Sequence, residues 1–154
     1  DYISEKTQYG LYSFVEPDKE SKDRLNKFSI KSFGVEIPDD VHCTVMYSTT
    51  PIERNQAENF SKTEYTAYLK NIDFWEGHDK KGYLVAKLVS PQLESEHNRL
   101  KELGCKPTFD YSPHITLISP FDSDKAKDKI AIGNNNLDDL GVRLKLINQQ
   151  VKMD

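Results

Sequence analysis

The sequence predicts an α+β fold in which two pseudo-symmetric lobes with mostly antiparallel sheets surround a central cleft. Strand and helix patterns alternate along the 154 residues without a regular βαβ rhythm, and this favours antiparallel sheets. Each half of the chain offers strands, a helix and one strand that carries a histidine, so we expect two similar lobes. The length suits one folding unit, and we expect residues 1–154 to form a single two-lobed domain.

The first elements follow from hydrophobic spacing and from residues that end regular structure. Residues 9–15 alternate enough to predict a strand, which Pro17 ends. Residues 21–33 place apolar side chains at helical spacing, and Gly34 is suited to cap that helix. Residues 41–48 form the next predicted strand, which follows a polar turn over residues 38–40.

The middle of the chain predicts a polar helix followed by a hairpin. Residues 53–62 are polar and favour a helix. Residues 63–74 and 82–89 are rich in β-formers and predict two long strands, with a turn over 77–79 between them. We therefore expect these strands to pair directly.

The last third predicts two helices and two strands. Residues 91–103 begin with Pro and end before Gly, which is typical of a helix. Residues 113–119 predict a strand and 123–132 a helix. We expect a loop over 133–136 and a final strand over 142–151.

The composition excludes several classes of protein. Charged residues make up 30% of the chain, yet the net charge is −4, which argues against a coat on long nucleic acid because phosphate binding needs a basic surface. No apolar run approaches the roughly 18 residues of a membrane span. The cysteines, Cys43 and Cys105, have neither disulfide-framework nor zinc spacing, so we expect a reducing, cytosolic setting and neither a metal nor a cofactor.

Two of the four histidines lie in the same local pattern, a His-x-Thr triplet with apolar neighbours. Strand side chains alternate, so His42 and Thr44 should share one face about 6.6 Å apart, and His114 and Thr116 should do the same. Such a pair of strands suits phosphoester cleavage. One neutral imidazole removes a proton, one imidazolium protonates the leaving oxygen, and the hydroxyls hold the phosphate oxygens. We predict these four residues to be catalytic, without a metal.

The two triplets resemble the signature of the two-histidine phosphoesterase superfamily, in which two H-x-T/S-x strands face each other across a cleft between two lobes. The separation of 72 positions between His42 and His114 and the context Ser-Pro-His-Ile-Thr-Leu both fit that superfamily. Many members place an arginine three residues after the second Thr, where this chain has Ser119; this fits a substrate without a terminal phosphate. The matching position after the first triplet is Tyr47, where members often have an aromatic residue.

From Tyr-Gly-Leu-Tyr-Ser-Phe-Val-Glu-Pro onward, the chain is similar to the phage anti-CBASS cyclic-oligonucleotide phosphodiesterases. CBASS is a bacterial defence in which infection triggers synthesis of cyclic di- and trinucleotide messengers. The resemblance implies a metal-independent hydrolase that destroys messengers such as cyclic GMP–AMP and so lets a phage evade CBASS. It also implies a monomer in the cytoplasm of the infected host, with no long nucleic acid or membrane as partner.

Two other functions stay open at this stage. The first is a related two-histidine enzyme that acts on 2′,3′-cyclic phosphates or oligoadenylates in RNA metabolism. The second is a sponge, a protein that binds nucleotides without turnover; two intact His-Thr pairs weigh against it, because binding alone needs no proton carriers.

Aromatic residues near the triplets are candidates for substrate binding. Trp75 is the single tryptophan and lies near the predicted hairpin end, where it could stack on a nucleobase. Tyr12 lies on the first strand, which should run beside the triplet strands, while Phe109 and Tyr111 precede the second triplet. His97 is expected to be a surface or boundary residue of its helix.

Three further features carry weaker expectations. Tyr9 is a candidate for the cleft, His78 a turn residue near ligand, and the acidic pair Asp138-Asp139 a loop that could close over the cleft as a lid.

Overall fold

The fold was analysed in a computed structural model, which describes residues 10–77, 81–137 and 143–153. Tyr9, His78, the Asp138-Asp139 pair and position 142, which carry expectations from the sequence, lie outside the described residues. Within them, no helix is both long and apolar enough to cross a membrane.

Six antiparallel strands form a single sheet in the order β2-β1-β6-β3-β4-β5. The α+β class and the antiparallel pairing are therefore confirmed. The C-terminal strand β6 lies between β1 and β3 and joins the two halves of the sheet. The strands are β1 (Leu11–Pro17), β2 (Cys43–Ser48), β3 (Glu64–Glu76), β4 (Lys81–Val89), β5 (His114–Asp122) and β6 (Arg143–Met153). The helices are α1 (Lys19–Phe33), α2 (Arg54–Ala57), α3 (Pro91–Glu102) and α4 (Ala126–Asn135), with a 3₁₀ turn over Ser123–Lys125.

The two longest helices lie within two residues of their predicted bounds: α1 begins two residues before position 21 and ends at Phe33, and α3 begins at Pro91 and ends one residue before position 103. The Asp18 carboxylate accepts a hydrogen bond from the backbone N–H of Ser21 at the start of α1, and Gly34 adopts the left-handed conformation at its end (φ 74°). The Ser90 hydroxyl caps α3 in the same way by accepting from the N–H of Leu93. Local capping therefore sets these boundaries.

The helix predicted over 53–62 is wrong in length, because α2 has only four residues. The Arg99 guanidinium donates to the carbonyls of Gln56 (2.9 Å) and Ala57 (3.0 Å), which takes the acceptors that a longer helix would use. Arg99 is in turn held by the fully buried carboxylate of Glu96 (2.7 Å). A contact distant in sequence ends this helix.

The loop predicted over 133–136 is wrong for most of its length, because α4 continues to Asn135. A Cβ at Gly133 would lie 2.9 Å from Ile72 and 3.0 Å from Phe33, so glycine permits close packing of α4 on β3. The Asn134 side chain also accepts a hydrogen bond from the backbone N–H of Ile72 (2.8 Å). Tertiary contacts override the poor helix propensity of Gly and Asn.

The sheet curls so that its two edge strands, β2 and β5, approach each other. Ser48 at the end of β2 forms an isolated bridge with Pro107, and its hydroxyl accepts from the N–H of Lys106 (2.8 Å). One hydrophobic cluster lies between sheet and helices, and it includes Leu25 of α1 and Leu93 of α3. The edges that meet are the strands that carry the two His-x-Thr triplets.

Candidate active site

The two triplets occupy equivalent places on the two edge strands. His42 directly precedes β2, and His114 is the first residue of β5. Both histidines and both threonines are half-buried, whereas the residues between and after them are in the core: Cys43, Val45, Ile115 and Leu117. The expected alternation is present, because the apolar faces of the triplets anchor the strands in the core and the polar faces lie on the opposite side of the strands.

The two imidazoles are held by the same kind of hydrogen bond. Nδ1 of His42 lies 3.0 Å from the carbonyl oxygen of Asp40, and Nδ1 of His114 lies 3.0 Å from that of Ser112. A carbonyl can only accept, so each Nδ1 carries a proton and donates it. In the neutral ring, the lone pair that can take up a proton is then on Nε2. Each histidine can accept or release a proton through that atom.

Burial lowers the pKa of both histidines below its ordinary value. The carbonyls of Asp40 and Ser112 oppose this shift because they stabilise the imidazolium. The charge of His42 is the smallest of the influences that lower the pKa of His114. Both rings are consequently poised to be neutral near pH 7.

Each triplet is followed by a β-bulge. The register of β1 with β2 skips Val45, the residue after Thr44, and the register of β4 with β5 skips Leu117, the residue after Thr116. A bulge bends the strand and changes the direction of the following side chains. In β2 it brings Tyr47, three residues after Thr44, to the same side as the triplet. Each half of the sheet thus has its own His-x-Thr triplet followed by its own bulge.

Aromatic rings surround His42. Tyr12 and Phe14, on β1, stack at 5.1 Å, and the Phe14 ring lies 5.6 Å from the imidazole of His42. The Tyr12 hydroxyl is 3.3 Å from Oγ1 of Thr44, and its ring also meets Tyr47 edge-on at 6.3 Å. The structure therefore brings Tyr12 to the first triplet, as the sequence predicts.

Trp75 lies beside the second triplet. Its ring centroid is 4.1 Å from that of His114, with the planes tilted by 56°. Phe109 lies in the segment before β5, and its side chain is 81% exposed. Among the described residues, its ring makes no contact with the ring of either triplet histidine. Of these two sequence candidates, only Trp75 touches a triplet residue.

Tyr111 joins the two edge strands. Its hydroxyl donates to the carbonyl oxygen of Thr44 (2.9 Å), and its ring stacks on His97 at 4.3 Å with an interplanar angle of 5°. His97, expected near the surface, is in fact buried, and its Nδ1 donates to the carbonyl of Val45 (2.8 Å). Burial lowers the pKa of His97, in keeping with a neutral structural ring. Tyr111 and His97 thereby hold β2 at its bulge.

Among the described residues, no three His, Cys, Asp or Glu side chains gather in a way that could hold a metal ion. The polar groups that the site does present are two imidazoles and two threonine hydroxyls. Together these supply a proton acceptor, a proton donor and hydrogen-bond donors for an oxyanion.

Comparison with known proteins identifies the family. Residues 9–140 match the family model described as anti-CBASS protein Acb1. An anti-CBASS protein Acb1 from Vibrio phage KVP40 is 31% identical over 111 residues, which cover 70% of this chain and 71% of that protein. The chain belongs to the Acb1 family of anti-CBASS proteins. Both triplets lie within the matched range.

The fold extends beyond the Acb1 family. The solved structure of Usb1 from Kluyveromyces marxianus is similar, with a TM-score of 0.51 over 95% of each chain and 10% sequence identity. At that identity the likeness concerns the fold alone. It indicates that the curled sheet of this Acb1-family chain is an architecture that other proteins share.

Sequence reasoning missed two residues near His42. Phe14 was not considered, although it follows Tyr12 at the two-residue spacing that places both on one face of β1. Lys152 of β6 was also missed; its ammonium lies 5.4 Å from the centroid of the Phe14 ring. The alternation of β1 would have predicted Phe14, whereas Lys152 depends on a strand pairing that no local pattern gives.

Proposed function

We propose that this Acb1-family protein is a metal-independent phosphodiesterase that hydrolyses cyclic di- and trinucleotide messengers and so counters CBASS. The observation that carries the proposal is the matched pair of imidazoles. Each has Nδ1 bonded to a carbonyl and Nε2 left as the proton-exchanging atom, on edge strands that approach each other. Family membership supplies the biological setting, since CBASS signals through such nucleotides.

His42 and His114 divide the proton transfers in this mechanism. The neutral histidine removes the proton of the nucleophile, and the protonated one gives a proton to the leaving oxygen. The hydroxyls of Thr44 and Thr116 donate to the non-bridging phosphate oxygens as charge accumulates. The positive charge of a protonated His42 disfavours protonation of His114, which is consistent with this division.

The nucleophile in this scheme is the ribose 2′-hydroxyl next to the scissile phosphate. Its oxygen bonds to phosphorus, the bond from phosphorus to the 5′-oxygen breaks, and the 5′-oxygen takes a proton from the second histidine. Bound geometry favours an internal nucleophile over recruited water. A 2′,3′-cyclic phosphate results, and the histidines exchange roles if water then opens it. Undiminished cleavage of an analogue with 2′-methoxy ribose at the cut position would exclude this route.

Two aromatic residues are proposed to hold the bases. Tyr12 and Trp75 lie beside the first and second triplets, where a base attached to the bound phosphate would meet a flat face; such stacking contributes about 1–3 kcal/mol per base. Phe109 is proposed for the outer rim of the cleft, since its ring is exposed. Tyr111 is better suited to holding the strands, because its hydroxyl is already bonded to Thr44. We further propose that the protein acts as a monomer in the host cytoplasm.

The deciding experiment incubates the protein with cyclic GMP–AMP, with and without excess EDTA, and separates the products by chromatography. Linear products in both samples are the expected result. Binding without cleavage would favour the sponge, and cleavage only of linear oligoadenylates or 2′,3′-cyclic phosphates would favour the RNA enzyme. Loss of activity in EDTA that a divalent metal restores would overturn the metal-independent mechanism.

A further inference from the structure

Lys152 lies at the edge of the site on the His42 side. In the pairing of β1 with β6 it is directly opposite Tyr12, and register partners share a face of the sheet. Its ammonium is over the ring of Phe14, and that ring also lies edge-on to the imidazole of His42. An exposed cation is thus held above an aromatic ring that packs against a catalytic histidine.

The contacts of Lys152 leave its charge available. Among the described residues, no carboxylate lies within ion-pair distance of its ammonium. A cation–π contact fixes the direction of an ammonium but does not neutralise it. Its positive charge reaches the triplet, because it is one of the smaller influences, after burial, that lower the pKa of His42. Within the described residues, Lys152 therefore presents an oriented charge with no ion-pair partner on the side of the sheet that carries the first triplet.

Cyclic oligonucleotides present more than one phosphate. When one phosphodiester is at the two histidines, the ring of the substrate carries the next phosphodiester to one side of the cleft. The two triplets hold donors for one phosphate only. A second anionic group in the same cleft needs its own cation, because burying a charge without a partner is unfavourable.

We propose that Lys152, oriented by Phe14, binds the phosphate of the linkage that is not being cut. The inference rests on the proposed function and deepens it, since it assigns a subsite that distinguishes cyclic oligonucleotides from substrates with a single phosphodiester. Lys152 is a binding residue in this scheme, and Phe14 positions it.

The test compares Lys152→Gln with Lys145→Gln on two substrates, cyclic GMP–AMP and a dinucleoside monophosphate with one 3′–5′ linkage. Lys145 is the matched control, because it lies on the same strand but pairs with Glu64 (3.6 Å). A charge-assisted contact to phosphate predicts that Lys152→Gln raises KM for cyclic GMP–AMP about tenfold. KM for the single-linkage substrate should not change, and Lys145→Gln should affect neither.

Phe14 is tested by two substitutions. Phe14→Leu removes the ring that orients Lys152 and should raise KM for cyclic GMP–AMP, but by less than Lys152→Gln does. Phe14→Tyr keeps the ring and should leave KM unchanged. An equal loss on both substrates would overturn the inference, because it would place Lys152 at the scissile phosphate. Unchanged KM in Lys152→Gln would overturn it as well.

Calorimetric titration with cyclic GMP–AMP separates this inference from the proposed function. If the wild-type protein binds but does not cleave, the proposed function fails, and binding that weakens about tenfold in Lys152→Gln still supports the subsite. If the wild type cleaves and Lys152→Gln binds equally well, only the subsite is overturned. Absence of binding by the wild type would overturn both.

Discussion

The hydroxyl of Tyr111 donates to the carbonyl oxygen of Thr44 over 2.9 Å, and this bond ties the segment before one triplet to the strand of the other. His97 binds the next carbonyl of the same strand, that of Val45. An edge strand has backbone partners on one side only, so side chains must fix its other side. The distance between the two imidazoles depends on this pair of bonds.

Tyr111→Phe should therefore lower kcat more than it raises KM. The change removes one hydrogen bond and keeps the ring on His97, which predicts a stability loss of about 1 kcal/mol and a several-fold fall in kcat. Steady-state kinetics and thermal unfolding measure the two effects. Tyr68→Phe, the same chemical change at a tyrosine of β3 that is 45% exposed, is the comparison variant. A rise in KM with unchanged kcat would show that Tyr111 contacts substrate instead.

Replacing either triplet histidine should abolish most turnover without unfolding the protein. His42→Ala and His114→Ala each remove a proton carrier that contributes about 10²–10⁴-fold in rate, and both rings are only half-buried. Thr44→Ala and Thr116→Ala should lose less, because other donors can compensate for one hydroxyl. The measurement is kcat, with circular dichroism to verify folding.

His97→Gln provides the contrast for those variants. His97 is 6% exposed and bonds to the backbone of β2, so its replacement should lower the unfolding temperature and lower kcat of the folded fraction only several-fold, as Tyr111→Phe does. If His42→Ala and His114→Ala keep wild-type rates, the assignment of the proton carriers is wrong.

The rate should be highest on the acid side of neutrality. Catalysis requires one neutral and one protonated histidine, and burial lowers the pKa of both His42 and His114 below the ordinary value of about 6.5. As the pH rises through the higher pKa the protonated partner is lost, so kcat/KM should fall about tenfold per pH unit on the alkaline side. As the pH falls through the lower pKa the neutral partner is lost. A maximum of kcat/KM at or above pH 7.5 would contradict these shifts.

Trp75→Ala should weaken substrate binding more than it slows the chemical step. Loss of a base-stacking face raises KM by about 5- to 100-fold, and Trp75→Phe should recover much of it. Because the indole packs on His114 and helps to bury it, the alanine variant should also move the pKa of that histidine upward, which NMR titration can follow. A lower unfolding temperature with unchanged KM would assign Trp75 a structural role only.

The sequence predicts elements where local signals decide the outcome. Gly34 at the end of α1 and Pro91 at the start of α3 are local signals, and so is the alternation that places His42 and Thr44 on one face, which explains why these features could be predicted. The lengths of α2 and α4 could not, since Arg99 binds the carbonyl of Ala57 at the end of α2 from 42 residues away and Ile72 packs on Gly133. These determinants are tertiary contacts that no window of sequence contains.

The same division applies to the candidate site. Two His-x-Thr triplets and the aromatic residues Tyr12 and Trp75 could be chosen from the sequence, because their types and spacing carry the chemistry. The burial of His97 could not, since its helix position between Glu96 and Asn98 is typical of a solvated face. Nor could the position of Lys152, which reaches the site only through the pairing of the last strand with the first.

The bulges after the two triplets have a consequence for how the protein behaves in concentrated solution. A long, regular edge strand offers unpaired backbone groups to other chains and promotes aggregation. Val45 and Leu117 interrupt the ladder at both edges, and the outer carbonyls of β2 at Thr44 and Val45 are already occupied by Tyr111 and His97. Tyr111 and His97, which hold the first triplet, thus also leave β2 with two fewer carbonyls open to pairing with another strand.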